Sequence, residues 1–128
     1  KQVMPGIIGD SQSAFLEGRN ILDGVLVANE VVASWLKSRK YGLLFKLDFE
    51  KAFDSVNWDF LLSKLSNYGF GPKWNSWIKE CISTSRISIL VNGSPTKEFN
   101  PQKGLKQGDP LSPFLFNLVV EALNILLL

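Results

Sequence analysis

Residues 43–58 read Leu-Leu-Phe-Lys-Leu-Asp-Phe-Glu-Lys-Ala-Phe-Asp-Ser-Val-Asn-Trp, and the fold turns on this stretch. Leu43 to Leu47 are apolar except for Lys46, the pattern of a largely buried strand. Asp48 follows at once. A carboxylate on the last residue of a buried strand is costly to desolvate, so the strand is expected to end at an open cleft, a metal or a cationic partner. Acids at strand ends also form structural ion pairs, so Asp48 stands as a candidate on either account. Glu50 and Asp54 then flank the pair Ala52-Phe53 before a helix that is expected from about Asn57. Asp54 and Asn57 are residue types that cap helices and close turns, which is the plainer reading of both.

Upstream, large apolar residues at 21, 22, 25, 26, 32, 35 and 36 fall on one broad face of an amphipathic helix. Asn20 is placed to cap it, Lys37, Arg39 and Lys40 lie at its C-terminal end, and Tyr41-Gly42 leads into the strand. Ahead of it, Lys1 to Ile8 reads as an extended lead-in broken by Pro5-Gly6. Gln12 to Asn20 reads as a loop with Phe15 as its buried aromatic. Arg19 in that loop is either a solvated cation or one that neutralises a helix C-terminus.

Downstream, Trp58, Leu61, Leu62 and Leu65 form the inward stripe of a second helix that stops at Tyr68-Gly69. A third helix, Lys73 to Ser83, puts Trp74, Trp77, Ile78 and Cys81 on one face, with Cys81 read as a small core residue. Arg86 to Val91 and Pro95 to Phe99 flank Asn92-Gly93, the strongest short signal of a hairpin. A loop rich in Pro and Gly, Asn100 to Leu111, precedes a last helix that starts at Ser112-Pro113 and is apolar nearly all round. At about 15 residues that helix is too short to span a membrane. The expected class is α+β, with helices backing an antiparallel sheet built from the strand ending at Asp48 and the 86–99 hairpin, and the last helix beneath it.

The composition limits the chemistry more than it selects it. With 128 residues, 45% hydrophobic and 20% charged, the chain is at most one globular domain. A net charge of +2 announces no polyanion by itself, although 14 Lys and Arg can still cluster. There is no histidine and one cysteine, so an intrachain disulfide and the usual zinc sites are excluded. Any metal must be held by oxygen, which favours Mg2+ or Mn2+. No secretory leader is visible, and a single thiol fits an intracellular protein. Both ends read as cut.

Two stretches carry a family resemblance. Lys46-Leu-Asp-Phe-Glu-Lys-Ala-Phe-Asp54 with Val56-Asn-Trp58, and Gly104-Leu-Lys-Gln-Gly-Asp-Pro-Leu-Ser-Pro-Phe114, resemble the A and B motifs of reverse transcriptases. The likeness is nearest to non-LTR, LINE-type retrotransposons of the plant kind, and it covers nearly the whole chain. Two long motifs in the right order, with a hairpin before the second, are far more specific than a lone short pattern. The resemblance implies a partial polymerase palm over 41–128, preceded by a fingers-side segment and helix over 1–40.

The same resemblance implies roles. Asp48 would be the catalytic acid and a ligand of both metals, with the carbonyl of Phe49 on the nucleotide-side ion. The amides of Lys51 and Ala52 would face the triphosphate. Phe53 would be the aromatic gate that excludes a 2′-hydroxyl, and Gln107 with Gly108 would border the nucleotide and template base. The implied cofactor is Mg2+, with Mn2+ as an alternative. The implied partners are an RNA template, a DNA primer and deoxynucleoside triphosphates, in the nucleus and cytoplasm and at no membrane. The family's C motif, aromatic-x-Asp-Asp, has no counterpart in the sequence, so the activity belongs to a longer protein and the 128 residues alone are expected to be inactive. An inactive retroelement relic and a maturase-like RNA-binding protein are the alternative readings.

Overall fold

A computed structural model describes residues 3–127. They form two compact units that divide between Glu50 and Lys51. In the first unit a 3-10 turn, Met4–Gly6, replaces the expected extended lead-in, and it buries Met4 with the nearby Ile8. Arg19 organises the segment that follows. Its guanidinium donates to the carbonyls of Gly9 at 2.5 Å and Gln12 at 2.6 Å, and to Asp10 Oδ1 at 3.2 Å. One planar fork serves these acceptors from its two terminal nitrogens, Nη1 the Gly9 and Gln12 carbonyls and Nη2 Asp10. Arg19 is thus a loop clamp. Phe15, expected to be buried, is exposed with φ 59, and its neighbour Leu16 is buried instead.

Helix α1 runs over Ile21–Ser38. Asn20 caps it by accepting from the Leu22 amide at 3.0 Å, and Arg39 ends it in the left-handed conformation. It buries none of its residues. The run Leu43 to Leu47 does not form the expected strand, and Leu43, Leu44, Phe45 and Leu47 are all exposed. The reason is that a strand exists only by pairing. Among the described residues no ladder reaches 43–47, so apolar composition alone leaves the segment irregular.

The second unit is built on α2, Trp58–Asn67, which packs against both α3, Pro72–Ser83, and α4, Ser112–Leu127. Asn57 caps α2 by accepting from the Phe60 amide at 2.9 Å. Leu61 and Leu65 are completely buried, and Ile78 of α3 and Leu115, Leu118 and Ala122 of α4 are buried with them. Burying each such leucine contributes roughly 1.5–3 kcal/mol. The Tyr68 hydroxyl, at the end of α2, donates to the Leu118 carbonyl at 3.2 Å. On α3 only Ile78 is buried, whereas Trp74, Trp77 and Cys81 are exposed, so Cys81 is not a core residue. Periodicity identified a face that a neighbouring helix covers at one position only.

The hairpin forms as expected, with β1, Leu90–Val91, antiparallel to β2, Ser94–Pro95. Asn92 and Gly93 take φ 50 and φ 81, the two positive values that a two-residue hairpin turn requires. Further down, Ile87 and Phe99 exchange backbone bonds of 3.0 and 2.9 Å. The described sheet has these two strands only, and α4 packs on α2 with no contact to it. The class is therefore helices with a small antiparallel sheet. The backing of that sheet by the last helix is corrected: α4 finds its apolar partner in the Leu61-Leu65 stripe.

Candidate functional site

Five of the residues singled out in the sequence lie in the second unit, on two segments that are joined backbone to backbone. The turn over 51–56 begins at Lys51, φ 51, whose carbonyl accepts from the Ser55 amide at 3.0 Å. It carries Ala52 and Phe53, both half-buried. The Phe53 carbonyl accepts from the Leu105 amide at 2.8 Å, and the Val56 carbonyl accepts from the Gly104 amide at 2.8 Å. From the start of α2, the Trp58 indole Nε1 donates to the Gly104 carbonyl at 2.7 Å. Gly104 has no room for a side chain, because a Cβ there would lie 2.8 Å from the Asp54 carbonyl oxygen. Its φ of +89 disfavours one as well.

Beyond this junction the loop is tied on itself. Leu105 is buried as an anchor, the Ser112 hydroxyl donates to the Lys106 carbonyl at 2.6 Å, and Asp109 Oδ1 accepts from the Leu111 amide at 2.8 Å. Gln107 and Gly108 stand exposed at the crest between these ties. Phe53 packs on the second turn of α4, its ring 5.0 Å from that of Phe116. A cavity of about 610 Å³ opens beside the loop, and Asp54, Gln107, Arg86, Lys103 and Lys106 are among the residues that line it. Trp58, Gly104 and Arg86 are not among the site residues that the sequence implies. Trp58 could be read only as part of a core stripe, since its hydrogen-bond partner lies 46 residues away.

Asp48 and Phe49 belong to the first unit, where both are exposed and lie outside any helix or strand. Among the described residues no three His, Cys, Asp or Glu side chains converge on a metal site. One carboxylate and one carbonyl are a partial donor set for hard cations, which take about six oxygens each. The pair of metals that the resemblance implies does not fit these residues alone.

The family model described as "Reverse transcriptase (RNA-dependent DNA polymerase)" matches residues 1–127. The chain belongs to the reverse transcriptase family. Its relatives include polyproteins of non-LTR retrotransposons. It is 32% identical over 124 residues to the transposon TX1 uncharacterized 149 kDa protein of Xenopus laevis, covering 94% of this chain and 9% of that protein. It is 36% identical over 108 residues to a Pol polyprotein of the type-1 R2 element of Popillia japonica, covering 80% of this chain and 15% of the other. With the type-2 R2DM polyprotein of Drosophila melanogaster the identity is 32% over 112 residues, covering 88% and 11%. This reverse transcriptase segment thus spans between 9% and 15% of those three relatives. Its two joined segments are the end of the stretch that resembles the A motif and the start of the stretch that resembles the B motif.

Proposed function

We propose that this chain is the nucleotide-bordering part of an RNA-directed DNA polymerase that copies retrotransposon RNA into DNA. One observation carries the reading: the 104–105 backbone is hydrogen-bonded to the 53–56 turn, so the end of the stretch resembling the A motif is joined to the start of the stretch resembling the B motif. Phe53 and Gln107 are presented from opposite sides of that junction. The turn amides of Lys51 and Ala52 receive the triphosphate, Phe53 closes the space beneath the sugar against a 2′-hydroxyl, and Gln107 with Gly108 borders the nucleotide and the template base. Asp48 would offer a divalent cation a charged oxygen and Phe49 a carbonyl, and Mg2+ or Mn2+ held there with further carboxylates of a longer protein would supply the charge stabilisation that nucleotidyl transfer needs. The substrates are an RNA template, a DNA primer and deoxynucleoside triphosphates.

The test is extension of a primed RNA template with deoxynucleotides in Mg2+. The full-length protein is expected to extend the primer, and the 128-residue chain alone is not. RNA binding by the full-length protein without any extension would overturn the polymerase reading and leave a binding protein.

A further inference from the structure

The junction between the turn and the loop is closed by one side chain. Backbone bonds from Gly104 and Leu105 to Val56 and Phe53 fix the start of the loop, and the Trp58 indole fixes the Gly104 carbonyl on its other side. Gly104 is therefore held through both its amide and its carbonyl. The loop is then pinned again at Lys106 by Ser112. Gln107 follows directly, exposed, with its own backbone set by these fixed points. The indole is half-buried, and its N–H is a donor that can accept nothing in return. If the Gly104 carbonyl were released, a partly buried acceptor would lose its partner and the short span to Gln107 would lose one of its anchors.

We infer that Trp58 is a positioning residue for nucleotide selection, holding Gln107 in register with Phe53 through the Gly104 carbonyl. The inference rests on the polymerase reading above. Trp58 touches no substrate. Its effect is on where the crest of the loop stands relative to the turn, so it acts on nucleotide affinity and sugar discrimination more than on the chemical step. Gly104 is the second half of the device. Any Cβ at this position pushes on the Asp54 backbone and opens the same junction from the loop side.

Trp58→Phe removes the donor and keeps most of the aromatic bulk. In the 128-residue chain, amide exchange is expected to speed up at Gly104 and Leu105 while Leu61, Leu65 and Leu118 stay protected. In the full-length protein, Trp58→Phe is expected to raise the KM for deoxynucleotides about tenfold, the equivalent of one hydrogen bond, with kcat nearly retained. Its preference for deoxy- over ribonucleotides should fall as well. Gly104→Ala, which leaves Trp58 intact, should reproduce this pattern and serves if Trp58→Phe does not fold. Unchanged exchange at Gly104 and Leu105, or a fall in kcat alone, would overturn the inference. A wild-type protein that extends nothing would instead sink the polymerase reading, and the positioning role with it.

Discussion

The ring of Phe53 lies 5.0 Å from that of Phe116, tilted by 36°, so one side of the proposed gate is braced by the second turn of α4. This contact gives Phe53 a structural part as well as a selective one. The two separate on measurement. As a gate, Phe53→Ala in the full-length protein keeps much of the deoxynucleotide activity and admits ribonucleotides. As a core aromatic alone, it costs about 3–5 kcal/mol and lowers all activities in step with the folded fraction. Steady-state incorporation of matched deoxy and ribo substrates is expected to show a reduced selectivity ratio.

Arg19 should behave as a structural clamp. Arg19→Met removes two short charge-assisted bonds to the Gly9 and Gln12 carbonyls, a loss of roughly 1–3 kcal/mol in the first unit. Arg19→Lys should restore it only in part, since one ammonium nitrogen can serve the Gly9 and Gln12 carbonyls but leaves no second nitrogen for the Ile8 carbonyl and Asp10. Asp10→Asn should have little effect, because Asp10 is fully exposed and its ion pair is screened. Amide exchange at Gln12, whose N–H bonds to the Gly9 carbonyl, reads all three variants.

The elements legible in the sequence were those whose signal is local. Asn20 and Asn57 cap their helices, and Asn92-Gly93 turns the hairpin, because each acts on backbone within three residues of itself. Features that depend on distant partners were not legible. The run 43–47 has strand composition without a ladder, and Phe15 was chosen where Leu16 is buried, since composition marks an apolar segment and not the residue that turns inward. Cys81 shares a periodic face with Ile78, yet only Ile78 is covered. At the candidate site the motifs named Phe53 and Gln107. The bond from Trp58 to Gly104 joins residues too far apart in sequence for any spacing rule to find.

Tyr68 gives the second unit a defined alkaline response. Burial, and then the nearby Glu121 carboxylate, raise its pKa above the ordinary 10.0. The neutral phenol is favoured in the folded chain, so at alkaline pH the folded state holds a proton that the unfolded state has lost. The contribution is complete below about pH 10 and falls away as pH rises through the folded value. Tyr68→Phe also removes the bond to Leu118, so it should be less stable at neutral pH and lose less stability between pH 9 and 11 than wild type. Urea unfolding of both chains across that range checks the sign.

If this segment handles nucleotides for a metal-dependent polymerase, as proposed, the full-length protein depends on the charge of Asp48. The measurement is templated extension of a primed RNA by the full-length protein in Mg2+, with wild type beside Asp48→Asn. The amide keeps the size of the side chain and removes its charge, and Asp48 is exposed, so folding should be unaffected. The expected result is extension by wild type and a loss of roughly a hundredfold or more with every deoxynucleotide in the variant, several kcal/mol of transition-state stabilisation. Extension by folded Asp48→Asn at the wild-type rate would contradict it.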